Sequence, residues 1–387
     1  MNAEPNARPA AIQLKCPPIK CVRIALVGLG NRGTKTLARY SFIDNAQIVC
    51  IADIDPERLE QANRTLRQGG RPEALAICGK EAWKEACEMP GVDLVYICTE
   101  WQSHAEMAVY AMLHGKHVAV EVPAATTVEE CWLLVRTAER TRRHCFMTEN
   151  CCYDIFALET LEMKRQGVFG EITHCEGAYI HNLKLDGDDA GWIERACLLH
   201  GGNPYPTHGI GPIAQLLGFH RTDRMHHLVS ITSDGAHGNG LPLGRVNTTI
   251  IKTVRGRSII LQLDVTTPRP YNRLQTICGT KAFAQKYPLP TIQTADGLLT
   301  GSEATDRMRL YDTSEAARIW RQGKAMNVPN AMNYTMDVRL IHCLNNGLPL
   351  DIDVYDAAEW SCLAELTKLS AAKGGESVAV PDFTKCE

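Results

Sequence analysis

The sequence lacks an apolar run of about 18 residues, so no segment is long enough to span a bilayer as a helix. Aromatic residues are scarce at 6%, but hydrophobic residues make up 45% of the 387 residues, too many for a disordered chain. Lys and Arg number 41 against 44 Asp and Glu, a net charge of −3. This balance provides no general basic surface. We therefore expect a globular protein of two or three domains that binds neither nucleic acid nor membranes.

The cysteines also exclude some classes of protein. The 16 cysteines include no C-x-x-C pair, and no cysteine–histidine set has zinc-finger spacing. Several of them, such as Cys50 and Cys145, lie inside apolar runs, which is typical of reduced and buried thiols in a reducing compartment. Residues 1–20 contain several prolines and no apolar segment of a signal peptide. We therefore predict a flexible tail over 1–20 and a cytoplasmic protein.

A glycine-rich turn follows the first predicted strand. The apolar run Cys21–Val27 ends in a G-x-G-x-x-G motif at Gly28, Gly30 and Gly33, and a helical pattern follows. Asp53 ends the next predicted strand, 20 residues beyond Gly33. In such a motif the first glycine permits a tight turn, the second lets the backbone approach a pyrophosphate, and the third lets the helix pack on the strand. The acid can bond both ribose hydroxyls and repel a 2′-phosphate, so the sequence predicts NAD rather than NADP.

Alternating strands and helices continue to about residue 150. Strands are predicted at 93–99, 117–121 and 144–148, with helices between them. Ligands bind at the carboxyl ends of strands in parallel sheets of this kind. The sequence therefore predicts an α/β Rossmann domain over 21–150, a doubly wound parallel sheet with its binding edge at those strand ends.

The second half changes to the two-residue period of antiparallel strands. The pattern predicts strands at 172–181, 246–253, 258–266 and 274–278, after a helix near 153–166. Residues 182–204 and 285–330 are predicted to be long loops, and 351–373 a closing helix. We therefore expect a substrate-binding α+β domain over 151–387 with a large, mostly antiparallel open sheet.

One short segment has the residues that acid–base chemistry requires. Tyr205 and His208 lie three residues apart on a turn stiffened by glycine and proline, before a predicted helix. Side chains so placed can converge on one ligand and act as acid and base. Tyr179 shares a strand face with His181, and Tyr271 ends a stiff Pro-Arg-Pro-Tyr loop. A metal site built from His174, His181, His200 and His208 stays open, although no ligand spacing supports it.

Several motifs give the chain a family resemblance. The stretches 28–33, 115–123, 149–153, 176–181, 205–209, 268–271 and 346–351 resemble those of glycoside hydrolase family 109. That family lies within the glucose-fructose oxidoreductase, inositol dehydrogenase and MocA oxidoreductase superfamily. The resemblance spans about residues 22–384, and the Tyr-Pro-Thr-His-Gly motif at 205–209 is its most specific part. It implies an NAD-dependent α-N-acetylgalactosaminidase.

The resemblance also implies roles for individual residues. Tyr205 and His208 would carry proton transfers, and Tyr179, Tyr205 and Tyr271 would bind the sugar. The implied NAD contacts lie in the glycine motif, at strand ends and in the Tyr-Pro-Thr-His motif: Gly28, Gly30, Asn31, Arg32, Gly33, Asp53, Trp101, Gln102, Ser103, His104, Glu121, Val122, Asn150, Pro206 and Thr207. No metal is implied, and a homo-oligomer formed through the open sheet is expected by analogy.

The implied chemistry is redox-neutral. NAD takes a hydride from sugar carbon 3, the resulting ketone acidifies the proton on carbon 2, and the aglycone leaves from carbon 1. Water then adds and the hydride returns. Such a route needs no flanking pair of carboxylates.

The chain departs from the family pattern in two places. The family has Trp-Arg before the Tyr-Pro-Thr-His motif, and that arginine contacts the sugar, whereas Ile193 follows Trp192 here and Arg195 comes two residues later. The family also has Gly-His-Gly-Gly-Met-Asp where this chain has residues 328–333, ending in Met332-Asn333, so the histidine and the aspartate are absent. Both changes bear on which substrate binds and leave the predicted NAD site intact.

Two other functions stay open. The first is an NAD-dependent sugar or polyol dehydrogenase, although such enzymes have a catalytic lysine in Glu-Lys-Pro, where this chain has Val122. The second is a non-catalytic, NAD-bound sugar sensor. A glycosidase releases an aglycone without net NADH, a dehydrogenase forms NADH, and a sensor does neither.

Overall fold

The computed structural model describes residues 11–183 and 191–385, which build two sheets flanked by helices. No helix within these residues combines the length and the apolar character that crossing a membrane requires. Part of the predicted tail packs on the body of the protein. Ala11 and Leu14 are buried, and the Ile19 N–H donates to the Leu344 carbonyl at 3.1 Å.

The first sheet is parallel, as the sequence predicts. Its strands are β1 (Val22–Val27), β2 (Ala46–Asp53), β3 (Leu75–Cys78), β4 (Leu94–Ile97), β5 (His117–Val120) and β6 (Cys145–Met147). Their order is β3-β2-β1-β4-β5-β6, which reverses direction beside β1 and creates a crevice at the strand ends. The helices between them are α1 (Asn31–Arg39), α2 (Pro56–Gln68), α3 (Ala82–Glu88), α4 (Trp101–Leu113) and α5 (Val128–Thr141).

The second sheet is large and mostly antiparallel, which confirms the predicted fold class. After α6 (Ile155–Arg165), its strands are β7 (Ile172–Ile180), β8 (Met225–Thr232), β9 (Asn247–Thr253), β10 (Ser258–Asp264), β11 (Gln275–Gly279), β12 (Phe283–Gln285), β13 (Thr291–Thr294), β14 (Gly297–Thr300) and β15 (Val378–Ala379). The order is β14-β13-β12-β11-β7-β10-β9-β8-β15, and β7 and β10 pair in parallel.

Helices cover one face of this sheet and join it to the first domain. They are α7 (Gly191–His200), α8 (Thr207–Leu217), α9 (Gly301–Met308), α10 (Glu315–Ala325), α11 (Ala331–Asn346), α12 (Val354–Ser361) and α13 (Leu363–Ala372). The other face leaves apolar side chains in solvent, such as Ile250, which is 54% exposed.

The prediction of long loops over 182–204 and 285–330 is wrong for much of the described part of both segments. Residues 191–200 form α7, because Ile193, Ala196 and Cys197 recur at helical spacing and pack on one apolar cluster. Residues 285–330 contain β13, β14, α9 and α10. The predicted closing helix is two helices, α12 and α13, with Cys362 between them. Glycine and polar residues hid the periodicity of these short elements.

Glycines bring α8 directly onto β7. A Cβ at Gly177 would lie 2.3 Å from the Gly209 carbonyl oxygen, and a Cβ at Gly209 would lie 2.3 Å from Leu261 Cδ1. Only glycine therefore allows this helix to approach the strand so closely. The contact places the first turn of α8 over the end of β7, where Tyr179 lies.

Two arginines of α1 fasten the first domain to α11. Arg39 forms a fully buried ion pair with Asp337 at 2.8 Å, and the Tyr96 hydroxyl donates to the same carboxylate at 3.1 Å. One turn earlier on α11, Asn333 accepts a hydrogen bond from Arg32 at 3.1 Å. The start of the glycine-motif helix is therefore held by residues 300 positions away in sequence, and its position depends on the packing of both domains.

Asp337→Ala should destabilise the protein by about 3–5 kcal/mol, because it leaves the Arg39 guanidinium buried without a counter-charge. The free energy of unfolding is measured by urea denaturation. The double variant Arg39→Met/Asp337→Leu should recover much of the loss, since neither charge then remains in the interior. A loss below about 1 kcal/mol for Asp337→Ala, as for an exposed pair, would contradict this account.

Candidate active site

The glycine motif has the shape that a dinucleotide requires. Gly28 has a φ of +86°, and a Cβ there would lie 2.9 Å from the Cys98 carbonyl. A Cβ at Gly33 would lie 1.9 Å from the Gly28 carbonyl oxygen, whereas Gly30 faces open space, with only Arg58 as near as 3.9 Å. The N-terminus of α1 has no side-chain cap and no acidic residue in its first turn. Its amide groups are therefore available to a phosphate, and the residues fit NAD.

Asp53 lies at the end of β2, next to this loop. Its Oδ2 accepts a hydrogen bond from the Leu29 N–H at 2.5 Å, and its Oδ1 accepts one from the Asp55 N–H at 2.9 Å. The carboxylate thus fixes the glycine loop, a role that the motif alone did not predict. Each oxygen keeps a further lone pair for a ribose hydroxyl.

The residues at the start of α4 divide into two groups. Trp101 is buried beside the sugar-side aromatic residues, and Gln102 is exposed. His104 is fully buried, with Nδ1 2.7 Å from the Pro123 carbonyl and Nε2 3.0 Å from the Thr99 carbonyl. Both ring nitrogens therefore face protein oxygens. His104 thus contacts the loops that follow β4 and β5, where the predicted NAD contacts lie.

A polar network connects four residues on the cofactor side. Arg32 pairs with Glu121 at 2.7 Å, and the Asn150 amide donates to Asn333 Oδ1 at 2.8 Å, the same oxygen that Arg32 reaches. Sequence reasoning singled out Arg32, Glu121 and Asn150 but treated Asn333 only as a lost aspartate. Asn333 instead bridges the first turn of α1 to the end of β6. Its position in α11 gave no signal, because this contact joins distant parts of the chain.

His208 is paired with a buried carboxylate. Its Nδ1 lies 2.7 Å from Glu149 Oε1, and Glu149 also accepts from the Cys151 N–H at 2.9 Å. The Nδ1–H of the imidazole therefore donates to Glu149, and Nε2 has no hydrogen-bond partner in the described part of the chain. Glu149 follows β6, and Gly211 of α8 approaches it so closely that a Cβ would lie 2.8 Å from its Cγ. Sequence reasoning noticed Glu149 only as a strand-end residue.

The electrostatics of this pair set the protonation states. Burial lowers the pKa of His208, against the Glu149 charge and with a contribution from the positive charge of Arg273. Burial raises the pKa of Glu149, but its interactions with His208 and the Cys151 N–H lower it to about 2. Burial also raises the pKa of Tyr205 well above its ordinary value. At neutral pH the site thus contains a neutral imidazole, a carboxylate and a protonated phenol, which suits a base and an acid.

Aromatic rings surround this pair on the sugar side. The Tyr205 ring centroid lies 4.7 Å from His208, 5.0 Å from Tyr179 and 5.4 Å from Trp101. Tyr179 also lies 5.0 Å from His208 and hydrogen-bonds His181 Nδ1 at 2.9 Å. The structure therefore brings together the predicted residues Tyr179, Tyr205 and His208.

Helix α7 closes one side of the aromatic cluster. The Trp192 ring lies 5.0 Å from that of Trp101, and Ile193 packs against the cluster beside Tyr179. Arg195 is exposed, so it does not replace the arginine that the family has at position 193. The wall of the site is therefore apolar at this point.

Tyr271 lies at the open edge, 44% exposed and 5.0 Å from the His181 ring. Arg273, two residues further on, was missed by sequence reasoning. Its guanidinium carbon lies 5.2 Å from the Tyr179 ring centroid, and its Nη1 lies 2.8 Å from Cys151 Sγ. A cation thus stands beside the aromatic cluster.

Potential metal ligands meet at one place among the described residues, where Glu149, Cys151 and His208 have ligand atoms within 4.8 Å of one another. The adjacent guanidinium of Arg273 repels a cation there. Burial also raises the pKa of Cys151, so this thiol is a poor source of the thiolate that metals bind. His174 is instead bonded to Ser258 at 2.8 Å. The charges at this cluster therefore disfavour a metal.

Comparison with protein families agrees with this geometry. The model described as "Glycosyl hydrolase 109, C-terminal domain" matches residues 153–387, and the model described as "Oxidoreductase family, NAD-binding Rossmann fold" matches residues 22–149. An "Alpha-N-acetylgalactosaminidase" of Bacteroides fragilis is 51% identical over 95% of this chain and 93% of its own length. "Glycosyl hydrolase family 109 protein 2" of Phocaeicola vulgatus is 49% identical over 98% of both chains.

Solved structures share the fold at lower identity. The aldose-aldose oxidoreductase from Caulobacter crescentus has a TM-score of 0.71 and 16% identity, covering 93% of this chain and all of its own (100%). A levoglucosan dehydrogenase has a TM-score of 0.71 and 17% identity, covering 93% and 99%. From the matched family models and the close relatives, we conclude that the chain belongs to glycosyl hydrolase family 109 and carries an NAD-binding domain of the oxidoreductase family.

Proposed function

We propose that this protein cleaves α-N-acetylgalactosaminides or closely related glycosides with NAD as a resident cofactor. The observation that carries the proposal is the His208–Glu149 pair at 2.7 Å, set among Tyr179 and Tyr205, with Arg32 of the glycine-motif helix close enough to interact electrostatically with His208. An acid, a base and a sugar-binding aromatic surface are thus assembled where a hydride acceptor would lie. The relatives at 51% and 49% identity support the substrate class.

The proposed site lies between residues 21–150, which bind the cofactor, and 151–387, which bind the sugar. Gly28, Gly30 and Gly33 would hold the pyrophosphate, and Asp53 the ribose. The remaining proposed contacts come from the ends of the loops around them: Asn31, Arg32, Trp101, Gln102, Ser103, His104, Glu121, Val122, Asn150, Pro206 and Thr207. Bound NAD supplies a reversible hydride acceptor, which makes the carbon 2 proton acidic while the sugar is oxidised.

The protein's own residues move the protons. Neutral His208 accepts a proton at Nε2, while its Nδ1–H remains bonded to Glu149, which stabilises the imidazolium that forms. Tyr205, kept protonated by burial, donates a hydrogen bond or a proton to a substrate oxygen. Val122 is buried and apolar where dehydrogenases of the superfamily have a lysine, so the site lacks that acid–base group.

The test is release of nitrophenol from aryl α- and β-glycosides, with no NAD added, while the absorbance of NADH is recorded. Nitrophenol without accumulating NADH supports the proposal. Net formation of NADH from free polyols would instead identify a dehydrogenase. Binding of NAD without either reaction would identify a sensor.

Glu149→Gln should lower kcat and move the acid limb of kcat/KM to lower pH. His208 must be neutral to accept a proton, so activity is lost as the pH falls through its pKa. The Glu149 charge raises that pKa, and its removal lowers it further. The pH profile of nitrophenol release measures the shift. Glu129→Gln on the exposed face of α5 serves as the control, and an unmoved acid limb in Glu149→Gln would contradict the assignment.

Asp53→Asn should weaken NAD binding and reduce the preference for NAD over NADP, because the amide repels a 2′-phosphate less than the carboxylate does. The amide oxygen can still accept from the Leu29 N–H, which holds the glycine loop, although the Asp55 N–H then loses its acceptor. Fluorescence titration with both nucleotides gives the two dissociation constants. The control is Asp55→Asn, which changes the neighbouring cap of α2. Unchanged selectivity in Asp53→Asn would refute the ribose contact.

We further propose a homo-oligomer formed through the open face of the second sheet, in a reducing cytoplasm. Val229 and Ile260 lie opposite Ile250 on the neighbouring strands, and Ile231 is 64% exposed on the same face. An exposed apolar patch of this kind is typical of an interface. The described cysteines are free thiols, which supports a reducing location.

Ile250→Glu should shift the protein towards the monomer, because a charge in the centre of an apolar interface is left without solvent or partner. Size-exclusion chromatography with light scattering gives the mass. Leu310→Glu is the control, since Leu310 is 65% exposed outside the second sheet. A mass equal to that of the unchanged protein would show that this face is not the interface.

A further inference from the structure

Arg273 is a positive charge at the sugar side of the site with no carboxylate partner among the described residues. Its Nη1 is bonded to Cys151 Sγ at 2.8 Å, and its Nε is buried without a hydrogen-bond partner. The guanidinium carbon lies 5.2 Å from the Tyr179 ring and 5.7 Å from the Tyr271 ring. These contacts hold the guanidinium in position but leave its charge uncompensated.

Three other arginines that are buried or partly buried have carboxylate partners. Arg39 pairs with Asp337 at 2.8 Å, Arg257 with Asp223 at 2.8 Å, and Arg32 with Glu121 at 2.7 Å. A desolvated charge is costly unless it is paired, so an unpaired one in a site indicates a function. Arg273 therefore differs from the arginines that hold the fold together.

Two carboxylates of this region, Glu149 and Asp154, have other partners. Glu149 accepts from His208 and from the Cys151 N–H, and Asp154 pairs with Lys286 at 3.0 Å. Burial raises the pKa of the Cys151 thiol, so its sulfur stays neutral and does not cancel the guanidinium charge. The site thus contains a cation whose Nε–H has no hydrogen-bond acceptor among the described residues.

The guanidinium also lies next to the proton-transfer pair. Cys151 Sγ, which Arg273 contacts, has the ligand atoms of Glu149 and His208 within 4.8 Å. A negative charge that forms as His208 accepts a proton would therefore arise close to Arg273. An oriented cation stabilises such a charge most when it is held in place before the charge appears.

We propose that Arg273 is a catalytic residue that stabilises the oxyanion on sugar carbon 3, an inference that rests on the proposed function. In the oxidised sugar, the base removes the proton from carbon 2, and the electron pair of that C–H bond forms a double bond to carbon 3. The carbonyl electrons move onto the carbon 3 oxygen, which becomes an enolate. When the enolate collapses, its electron pair re-forms the carbonyl, the carbon 1–oxygen bond breaks, and the aglycone oxygen departs with a proton from the Tyr205 hydroxyl. The glycoside is neutral before this step. Arg273 therefore stabilises the charge that forms as the enolate appears and does not strengthen binding of the substrate.

The test compares Arg273→Met, Arg273→Lys and the control Arg269→Met with the unchanged enzyme. Arg269 is four residues away and contacts Gln262 at 2.8 Å and Asp264 at 3.5 Å. The substrates are nitrophenyl α-N-acetylgalactosaminide and its forms deuterated at carbon 2 or carbon 3. Measurements are kcat, KM, both isotope effects, the absorbance of reduced nicotinamide during turnover, and binding of free N-acetylgalactosamine by calorimetry.

For Arg273→Met we expect kcat to fall about 100-fold or more, as for loss of an oxyanion donor, with little change in KM or in sugar affinity. The isotope effect at carbon 2 should rise and that at carbon 3 should fall, because proton removal becomes rate-limiting. Reduced nicotinamide should accumulate, since the ketone waits for that step. Arg269→Met should match the unchanged enzyme.

Two results would overturn the proposal. A higher KM and weaker sugar binding at unchanged kcat would make Arg273 a ground-state contact. A lower kcat with unaltered isotope effects and no accumulated reduced nicotinamide would make it a structural residue. If Arg273→Met does not fold, as judged by circular dichroism, Arg273→Lys decides by the same isotope effects. Failure of the proposed function is separate, because the unchanged enzyme would then release no nitrophenol.

Discussion

The buried carboxylate of Glu149 is the feature on which the site depends. It follows the last strand of the parallel sheet, and it accepts hydrogen bonds from the Cys151 N–H and from His208 on the first helix turn of the other domain. One charge thus joins the two domains and fixes the tautomer of the imidazole. A buried charge is tolerated only when its partners are in place, so the pair also constrains how α8 docks. Gly177, Gly209 and Gly211 provide the space that this docking needs.

The cofactor side is organised by a second set of long-range contacts. Arg32 and Arg39 of α1 reach Glu121, Asn333 and Asp337, so the helix that faces the pyrophosphate is held by both domains. An aspartate at position 333, as in the family pattern, would add a second negative charge next to Arg32. Here Asn333 accepts from Arg32 and from Asn150 without that charge, and Glu121 alone neutralises the guanidinium. The network therefore joins α1, α11 and the segment after β6 with a single carboxylate, that of Glu121.

Under the proposed function, the charges beside the aromatic cluster suit a reaction that passes through a transient anion. His208 is neutral and bonded to Glu149, Tyr205 is protonated, and Arg273 lacks a carboxylate among the described residues. His208 and Tyr205 are therefore in the protonation states that a proton transfer uses. Arg273 forms no salt bridge with a described carboxylate that would neutralise its charge. Ile193 packs in the apolar wall where the family pattern has an arginine that contacts the sugar. Under the proposed function, this difference affects which sugar binds and leaves the proton-transfer residues unchanged.

The sequence by itself determined what is local. The strand, the three glycines and Asp53 lie within about thirty residues and obey fixed spacing, so the parallel domain and its NAD loop could be predicted. Tyr205 and His208 lie three residues apart on one turn, and alternation predicted four of the nine strands of the second sheet, namely β7, β9, β10 and β11. Only the tertiary structure decided the rest. It alone pairs His208 with Glu149, brings Asn333 to Arg32 and places both nitrogens of His104 against backbone carbonyls. The first two contacts join residues far apart in the chain, and no periodicity marks them, because they depend on how helices of the second domain pack against the first.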